Sequence, residues 1–305
     1  MITMSVAVKQ MFYLPWWFIQ AKFFGRKAPL QTVLFITDKC NLRCKHCSVY
    51  QTENNHVMTF AQVCDQLRYA YRLGSRFVDI EGGETTLWRD GDKNINDIVR
   101  AAHAIGFYSA TITTNAQQDI SWVRADSLWV SMDGVGKFHD AIRGEGTFAR
   151  LERNIRDAHL PHLSVNMVVN TVNYKGLDEA MEYVKSNSRY IEQISINFHT
   201  PFPGTESLAL DEETRNQCID KVLSYKKKGY PVMNSCSGLC KMKNIKRLKK
   251  RCWVTNFIYA DGSRGYCAAM NSDICNRCGL CMSGEMASVF NLCPDTILAG
   301  LKLRK

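Results

Sequence analysis

The sequence lacks any apolar run near the roughly 18 residues that a membrane-spanning helix needs, and no small-residue cleavage site follows its N-terminal segment. Proline is scarce, with 7 residues, and the 19 glycines form no collagen-like or low-complexity pattern. These absences argue against a membrane-spanning chain, a collagen-like chain and a wholly disordered one. With 46% hydrophobic residues among 305, the chain can bury a sizeable core, and we expect a cytoplasmic protein.

Acidic residues are missing from two segments. Residues 1–30 carry four cations and residues 241–251 carry seven, with no Asp or Glu in either. The whole chain has 39 Lys and Arg against 29 Asp and Glu, a net charge of +10, so the rest of the sequence is nearly neutral. The positive charge is therefore concentrated in these two places.

Cysteine is abundant, with 13 residues. In a chain expected in a reducing compartment, thiols stay free and serve as ligands of soft metals. This content therefore predicts metal binding rather than a disulfide framework.

Between residue 30 and about 228, short β-branched runs alternate with helical patterns, which is typical of βα units around a parallel sheet. The predicted strands are 32–37, 77–81, 109–114, 128–133, 163–169 and 191–198. The predicted helices are 60–73, 94–105, 121–125, 148–158, 177–186 and 212–228. Six such units predict an α/β fold, a partial (β/α)6 TIM-like barrel whose site residues stand at the carboxyl ends of the strands.

The chain divides into three predicted parts. Residues 1–29 form a basic, aromatic N-terminal segment, and residues 30–230 form the barrel. Residues 231–305 contain eight of the cysteines and little periodicity. Such a segment cannot bury enough apolar surface by itself, so we expect a small cluster-binding domain held together by metal.

Three cysteines follow the first predicted strand directly: Cys40, Cys44 and Cys47, in a C-x3-C-x2-C pattern. Three thiolates in one loop hold three irons of a cubane and leave the fourth iron without a protein ligand. That open corner admits a small molecule that carries an amine and a carboxylate. The alternative is a structural zinc site with a distant fourth ligand such as His46.

This loop resembles the cysteine motif of the radical S-adenosylmethionine (radical SAM) superfamily. The resemblance implies a [4Fe-4S] cluster whose unique iron binds SAM. It also implies reductive cleavage of SAM to a 5′-deoxyadenosyl radical that abstracts hydrogen from an unactivated C–H bond. This chemistry needs an electron donor such as a flavodoxin or a ferredoxin.

Later strand ends strengthen the resemblance. Glu81-Gly82-Gly83-Glu84 is similar to the superfamily's GGE motif, although Thr85 replaces the usual proline. The further cofactor-binding residues that the resemblance implies are His46, Thr113, Asn115, Ser131, Arg143 and, more weakly, Asn166. Taken singly, such residues are more typical of turns, helix caps and surface charges. Their order along consecutive strand ends favours the shared site, although no catalytic side chain is assigned.

A second cysteine group begins with Cys252 and Cys267, in a C-x9-G-x4-C run with a predicted hairpin turn at Asp261-Gly262. This run resembles the start of the SPASM and twitch extensions of radical SAM enzymes, which implies an auxiliary [4Fe-4S] cluster. The predicted ligands are Cys252 and Cys267, with two drawn from Cys275, Cys278 and Cys281.

Two alternatives stay open for this group. The first is a second auxiliary cluster, which would recruit Cys236 and Cys240, with Cys293 as a further candidate ligand. The second is zinc, a metal typical of C-x2-C pairs. Cys64 and Cys218 fall on helical patterns and are expected to be small apolar residues.

The substrate is the least specified part of the prediction. The resemblance favours a peptide or protein side chain, with a maturase or oxidoreductase type of reaction. The aromatic N-terminal segment, together with the basic run at 241–251, suggests instead a lipid or isoprenoid substrate at a membrane surface, unless the rings cover the bottom of the barrel. The basic run lacks the interleaved aromatic residues of nucleic-acid binding proteins. An iron-sulfur electron carrier or sensor is the non-enzymatic alternative.

Overall fold

The computed structural model describes residues 6–47, 55–267 and 272–302. Its strands are β1 (Gln31–Phe35), β2 (Phe77–Glu81), β3 (Ser109–Thr114), β4 (Ser127–Ser131), β5 (Leu163–Val169), β6 (Ile194–Phe198), β7 (Thr255–Ile258) and β8 (Arg264–Gly265). They form one sheet in the order β6-β5-β4-β3-β2-β1-β7-β8. Strands β1 to β7 are parallel, and β8 pairs antiparallel with β7. This sheet is the predicted partial TIM-like barrel, extended beyond β1.

The helices are α1 (Val6–Phe23), α2 (Phe60–Leu73), α3 (Ile95–Ile105), α4 (Lys137–Arg143), α5 (Thr147–Ala158), α6 (Leu177–Ser186), α7 (Glu212–Lys227), α8 (Cys236–Met242), α9 (Met282–Phe290) and α10 (Pro294–Lys302). Capping boxes begin α2 and α3, with Thr59 and Asn94 as N-caps. Leu67 of α2 and Ile98 of α3 share one fully buried core with Ile80 of β2. One face of the sheet therefore packs against helices and leaves the other face to line the barrel.

The predicted strands at 77–81, 109–114 and 163–169 are confirmed residue for residue, and the other three agree within three residues at either end. The predicted helix at 121–125 is wrong. Asp119 accepts a hydrogen bond from the Ser121 amide (2.8 Å). The Asn96 side chain donates to the Trp122 carbonyl (2.9 Å) and accepts from the Arg124 amide (2.8 Å). Because side chains satisfy these backbone groups, the segment forms a turn instead of a helix.

The C-terminal region contributes to the sheet as well as to its surroundings. Strand β7 pairs with β1, and Asp261-Gly262 forms the predicted turn between β7 and β8, with Gly262 at φ 86°. Helices α8, α9 and α10 pack against one another. The division of the chain at residue 230 stays a prediction.

Helix α1 lies across the amino ends of the strands. The Tyr13 hydroxyl donates to the carbonyl of Gly74, just before β2, at 2.7 Å. The Trp17 indole donates to the carbonyl of Ala28, just before β1, at 2.8 Å, and Trp17 packs with Val254, just before β7. One face of α1 therefore covers the bottom of the barrel. Within the described part of the chain, no helix has both the length and the apolar character needed to cross a bilayer.

Candidate functional site

The first cysteine loop leaves the carboxyl end of β1 and receives hydrogen-bond donors at its sulfur atoms. The Leu42 amide lies 3.4 Å from Cys40 Sγ, and Asn115 Nδ2 lies 3.7 Å from the same sulfur. Arg143 Nη1 lies 3.8 Å from Cys44 Sγ. Donors and a cation aimed at sulfur stabilise thiolates, so the loop suits a metal that binds thiolates.

Burial opposes thiolate formation in the absence of a metal. It raises the pKa of Cys44 to about 11, against the lowering effect of Arg143, and Cys47 adds to the rise. Burial also raises the pKa of Cys40. A bound metal deprotonates such thiols outright, because the cation replaces the missing solvation. The chemistry of this donor set therefore fits an iron-sulfur cluster.

Gly82 and Gly83 stand where two backbone segments touch. The Gly83 amide donates to the Thr37 carbonyl (2.6 Å), and the Glu84 amide donates to the Lys39 carbonyl (2.8 Å). A Cβ on Gly82 would lie 2.6 Å from Thr37 O. The double glycine thus brings the end of β2 directly onto the cysteine loop.

We expect Gly83→Ala to weaken SAM binding about tenfold and to destabilise the fold by about 1–3 kcal/mol. An added Cβ would lie 2.3 Å from Lys39 O, so the cysteine loop has to move. The measurements are the KM for SAM in 5′-deoxyadenosine formation and the free energy of unfolding. Gly300→Ala is the control, because a Cβ there meets no atom within 4 Å. Equal behaviour of the two variants would contradict this role of Gly83.

Glu84 is buried and joins three strand ends. Its Oε1 accepts hydrogen bonds from the Thr114 hydroxyl (2.6 Å), the Thr86 hydroxyl (2.6 Å) and the Thr86 amide (3.0 Å). Its Oε2 accepts from the Asn115 amide at 2.7 Å, and Asn115 Nδ2 donates to Asn41 in the cysteine loop at 2.8 Å. Glu84 and Asn115 thereby lock β2 and β3 to the loop. A carboxylate oxygen with one partner accepts one more donor.

Asp133 follows β4 and is fully buried, although the sequence prediction did not assign it a role. Its Oδ2 accepts from Arg143 Nε at 2.7 Å, and its Oδ1 accepts from the Val168 amide at 3.0 Å. Burial alone would raise the pKa of Asp133, but Arg143 and His46 hold it below its usual value. Asp133 therefore places the Arg143 guanidinium beside Cys44. The polar residue directly after a buried strand was the available signal.

His46 stands between two of the cysteines, and its side chain is 12% exposed. Its Nε2 lies 3.6 Å from Asp133 Oδ2, and its ring is 6.4 Å from the ring of His199 at the end of β6. Burial lowers the pKa of His46 to about 4, so the ring is neutral near pH 7. Among the described residues, no partner bonds its Nδ1. A buried ring nitrogen without a partner suits a polar ligand next to the cysteine loop.

The lumen of the barrel is polar below this loop. Gln31 donates to Asp79, and Glu81 lies one inward-facing position above Asp79 on β2. Burial and the neighbouring Asp79 raise the pKa of Glu81 to about 7, against a hydrogen bond from Thr113. The Thr85 hydroxyl donates a hydrogen bond to the Thr113 carbonyl (2.6 Å). Glu81 can therefore hold or release a proton near neutral pH.

The second cysteine group surrounds a separate open cavity. Four of its cysteines line this cavity: Cys252, Cys267, Cys275 and Cys278. Burial raises the pKa of Cys252 to about 11. The other three cysteines raise this pKa further, because a nearby thiolate disfavours a second negative charge. Lys250 and Arg251 line the same cavity. Four thiols with two cations beside them fit a closed, negatively charged four-thiolate cluster.

Cys281 differs from these four: it is buried and is not among the residues that line the cavity. Its amide donates to Asn197 Oδ1 (2.9 Å), and Asn197 Nδ2 donates to Asn166 Oδ1 (2.9 Å). Asn166 stands opposite Ser131 in the register of β4 and β5. Asn166 is thus connected through Asn197 to the second cysteine segment. The geometry favours Cys275 and Cys278 as the remaining ligands.

The segment that carries Cys278 and Cys281 contacts the end of β6. The Phe198 amide donates to the Gly279 carbonyl (2.9 Å), and the Gly279 amide donates to the Thr200 hydroxyl (3.0 Å). A Cβ on Gly279 would lie 1.9 Å from Phe198 O, so glycine is needed for this contact. His199, between these residues, faces His46 of the first loop. The end of β6 therefore contacts the first cysteine loop through His199 and the second cysteine segment through Phe198.

In the described part of the chain, no group of three or more His, Cys, Asp or Glu side chains is placed to hold a metal ion. The ligand assignments for both cysteine groups, and the SAM contacts, therefore stay predictions. Of the two cysteines predicted to be apolar residues, Cys218 is buried and Cys64 is half-buried.

The fold and the site together define a class: a partial β/α barrel with a three-cysteine loop at the carboxyl end of its first strand. The family model for the Radical SAM superfamily matches residues 34–247, which is more than half of the chain. The chain belongs to the radical SAM superfamily. The family implies a [4Fe-4S] cluster and SAM.

Sequence relatives match little more than half of the chain. The chain is 26% identical over 196 residues to a GTP 3′,8-cyclase of Clostridium botulinum, which covers 59% of this chain and 58% of the relative. It is 26% identical over 174 residues to a probable GTP 3′,8-cyclase of Saccharolobus solfataricus, covering 53% of this chain and 54% of the relative. The chain thus spans little more than half the length of these curated relatives.

Solved structures share the fold over a larger part of the chain. Streptococcus suis SuiB bound to the precursor peptide SuiA has a TM-score of 0.62 at 17% identity, covering 88% of this chain and 66% of that protein. The structure of anSMEcpe with bound AdoMet and the Kp18Cys peptide has a TM-score of 0.61 at 16% identity, covering 90% of this chain and 83% of that protein. At these identities the likeness concerns the fold.

Proposed function

We propose that this enzyme uses SAM and a site-differentiated [4Fe-4S] cluster to oxidise or cross-link a peptide or protein side chain, with an auxiliary [4Fe-4S] cluster of the SPASM or twitch type. The observation that carries the proposal is the end of β6, which contacts His46 of the first cysteine loop through His199 and Gly279 of the second cysteine segment through Phe198. An electron carrier needs neither a buried Glu84 nor a polar barrel lumen beside its cluster.

The residues of the first group have distinct roles in this proposal. Cys40, Cys44 and Cys47 hold the cluster, and Glu84 Oε2 accepts the ammonium of SAM. Arg143 offsets negative charge at Cys44, and the neutral His46 lies beside the adenine. When bound, the cluster and SAM supply a 5′-deoxyadenosyl radical that abstracts hydrogen from an unactivated C–H bond.

The lumen and the second group would complete the oxidation. After hydrogen abstraction, the substrate loses one electron and one proton to become a closed-shell product. Glu81, with a pKa of about 7, is the inward-facing group able to accept that proton near neutral pH. The four cysteines from Cys252 to Cys278 would hold the auxiliary cluster that takes the electron, and a flavodoxin or ferredoxin would supply the reducing electron for SAM.

Three observations bear on the substrate. The likeness to anSMEcpe and SuiB, both solved with peptides, extends over 90% and 88% of this chain and so includes much of the C-terminal region. The likeness to the two GTP 3′,8-cyclases covers 59% and 53% of the chain. The aromatic segment, which suggested a lipid substrate, lies on α1 at the opposite end of the barrel. A peptide is therefore the best supported substrate class.

Cys267→Ala separates the two clusters. We expect this variant to keep SAM cleavage and to lose product, with iron falling from about eight to about four per chain. Cys281→Ala is the matched comparison, because Cys281 does not line the cavity, and it should keep both iron and product. The measurements are iron content, 5′-deoxyadenosine and product mass under anaerobic conditions with dithionite. Loss of iron in Cys281→Ala, or equal loss of both activities in Cys267→Ala, would contradict the assignment.

The substrate class is tested with the same reduced enzyme. A peptide library, GTP and an isoprenoid lipid are each incubated with SAM, and each mixture is searched by mass spectrometry for loss of two hydrogens or for cyclisation. A modified peptide supports the proposal. A modified nucleotide or lipid with unchanged peptides would refute the substrate class, and absence of 5′-deoxyadenosine in every mixture would favour the electron carrier.

A further inference from the structure

Helix α1 has two apolar faces, and only one of them packs on the barrel. Tyr13 and Trp17 contact the body of the protein as described above, and Ala21 is buried in the same cluster as Trp17. A second stripe, spaced as i, i+4, i+7 and i+11, faces away and continues past the helix end. We call this stripe the aromatic face; it consists of Phe12, Trp16, Ile19, Phe23 and Phe24. Phe12 is 64% exposed, Phe23 67% and Phe24 72%, so the barrel does not account for them.

Cationic side chains lie over two of these rings. The Arg26 guanidinium lies 5.4 Å from the centroid of Trp16, and the Lys22 ammonium lies 5.7 Å from that of Phe23. Lys9 and Lys27 belong to the same segment, and residues 1–30 contain no acid. Rings flanked by cations, with no carboxylate among them, are typical of a helix that lies in the headgroup region of an anionic bilayer.

A cavity opens beside the aromatic face, between α1 and the amino ends of the strands. Arg26, Arg72 and Arg76 line it together with Trp16 and Gln20, and none of the described residues that line it is acidic. The guanidinium fork matches phosphate geometry. Arg76 already donates hydrogen bonds to the carbonyls of Tyr71 and Ser75. Arg72 is exposed, so it is the arginine tested below.

We propose that the aromatic face and the arginine-lined cavity dock this protein on an anionic phospholipid bilayer, with a lipid phosphate in the cavity. A second copy of the chain is a poorer occupant, because a symmetric contact would bring two acid-free sets of cations together. Docking at this end leaves the carboxyl ends of the strands, with the first cysteine loop, directed away from the membrane. The surface therefore positions the enzyme and does not deliver a lipid to the radical, and it stands independently of the proposed reaction.

The test is flotation of the intact holoenzyme with vesicles. We expect it to float with phosphatidylcholine vesicles that contain phosphatidylglycerol, to stay at the bottom with phosphatidylcholine alone, and to be released as salt is raised. Phe12→Ser/Phe23→Ser should weaken vesicle affinity about tenfold or more. Ile297→Ser/Leu298→Ser is the matched control, since both side chains are exposed on α10, and it should float like the wild type.

A second variant tests the cavity without changing the apolar face. Arg72→Gln should weaken binding to phosphatidylglycerol vesicles severalfold, with the same melting temperature as the wild type. No flotation of the wild type with anionic vesicles would overturn the proposal, as would equal flotation of the two double variants. A dimer seen by light scattering that Phe12→Ser/Phe23→Ser abolishes, without any flotation, would show that the face joins two copies of the chain.

Discussion

Cys44→Ala is expected to abolish formation of 5′-deoxyadenosine from SAM. Cys44 is the buried cysteine of the first loop, and Arg143 Nη1 is directed at its sulfur from 3.8 Å. Its removal leaves two thiolates in the loop, which cannot hold three irons of a cubane. The measurement is chromatography of the products after anaerobic incubation of the reconstituted protein with SAM and dithionite.

Cys64→Ala provides the control for this loss. Cys64 is a half-buried cysteine on α2. It should retain full SAM cleavage and the iron content of the wild type. Normal 5′-deoxyadenosine formation by Cys44→Ala would disprove the ligand assignment of the whole loop. So would a wild-type protein that binds zinc in the N-terminal group and shows no iron-sulfur absorption.

Asp133→Asn is expected to lower the free energy of unfolding by about 3–5 kcal/mol. The side chains of Asp133 and Arg143 are 0% and 9% exposed, and their ion pair is 2.7 Å long. The substitution keeps the shape of the side chain and leaves the guanidinium buried without a counter-charge. It also weakens the link between β4 and β5, because Oδ1 accepts the Val168 amide. Denaturant unfolding of protein in a fixed state of cluster loading measures the effect.

Two further variants show whether the lost charge is the cause. Asp65→Asn removes a carboxylate that is 74% exposed and paired with Arg68, and should cost about 0.5 kcal/mol or less. Combining Asp133→Asn with Arg143→Met removes the uncompensated charge and should restore part of the stability. A loss below about 1 kcal/mol in Asp133→Asn, or a double variant less stable than the sum of its parts, would contradict this account.

The barrel was predictable because its signals are local. Strands β2, β3 and β5 match their predicted ranges, since β-branched runs are bounded by turn residues within a few positions. The first cysteine loop was predictable for the same reason, as its three thiols lie within eight residues of one another. The segment at 121–125 was not, because the side chain of Asn96, far away in the chain, decides its conformation.

The sequence alone determined the order of βα units, the three-cysteine loop, the double glycine that follows β2 and the acid-free segments. Only the tertiary structure decided which later cysteines face Cys252, that Asp133 holds Arg143 beside Cys44, and that α1 packs at the amino ends of the strands. The reason is physical. Periodicity and spacing record interactions between neighbours in the chain, whereas burial, charge pairing and cavity lining depend on residues that only the folded sheet brings together.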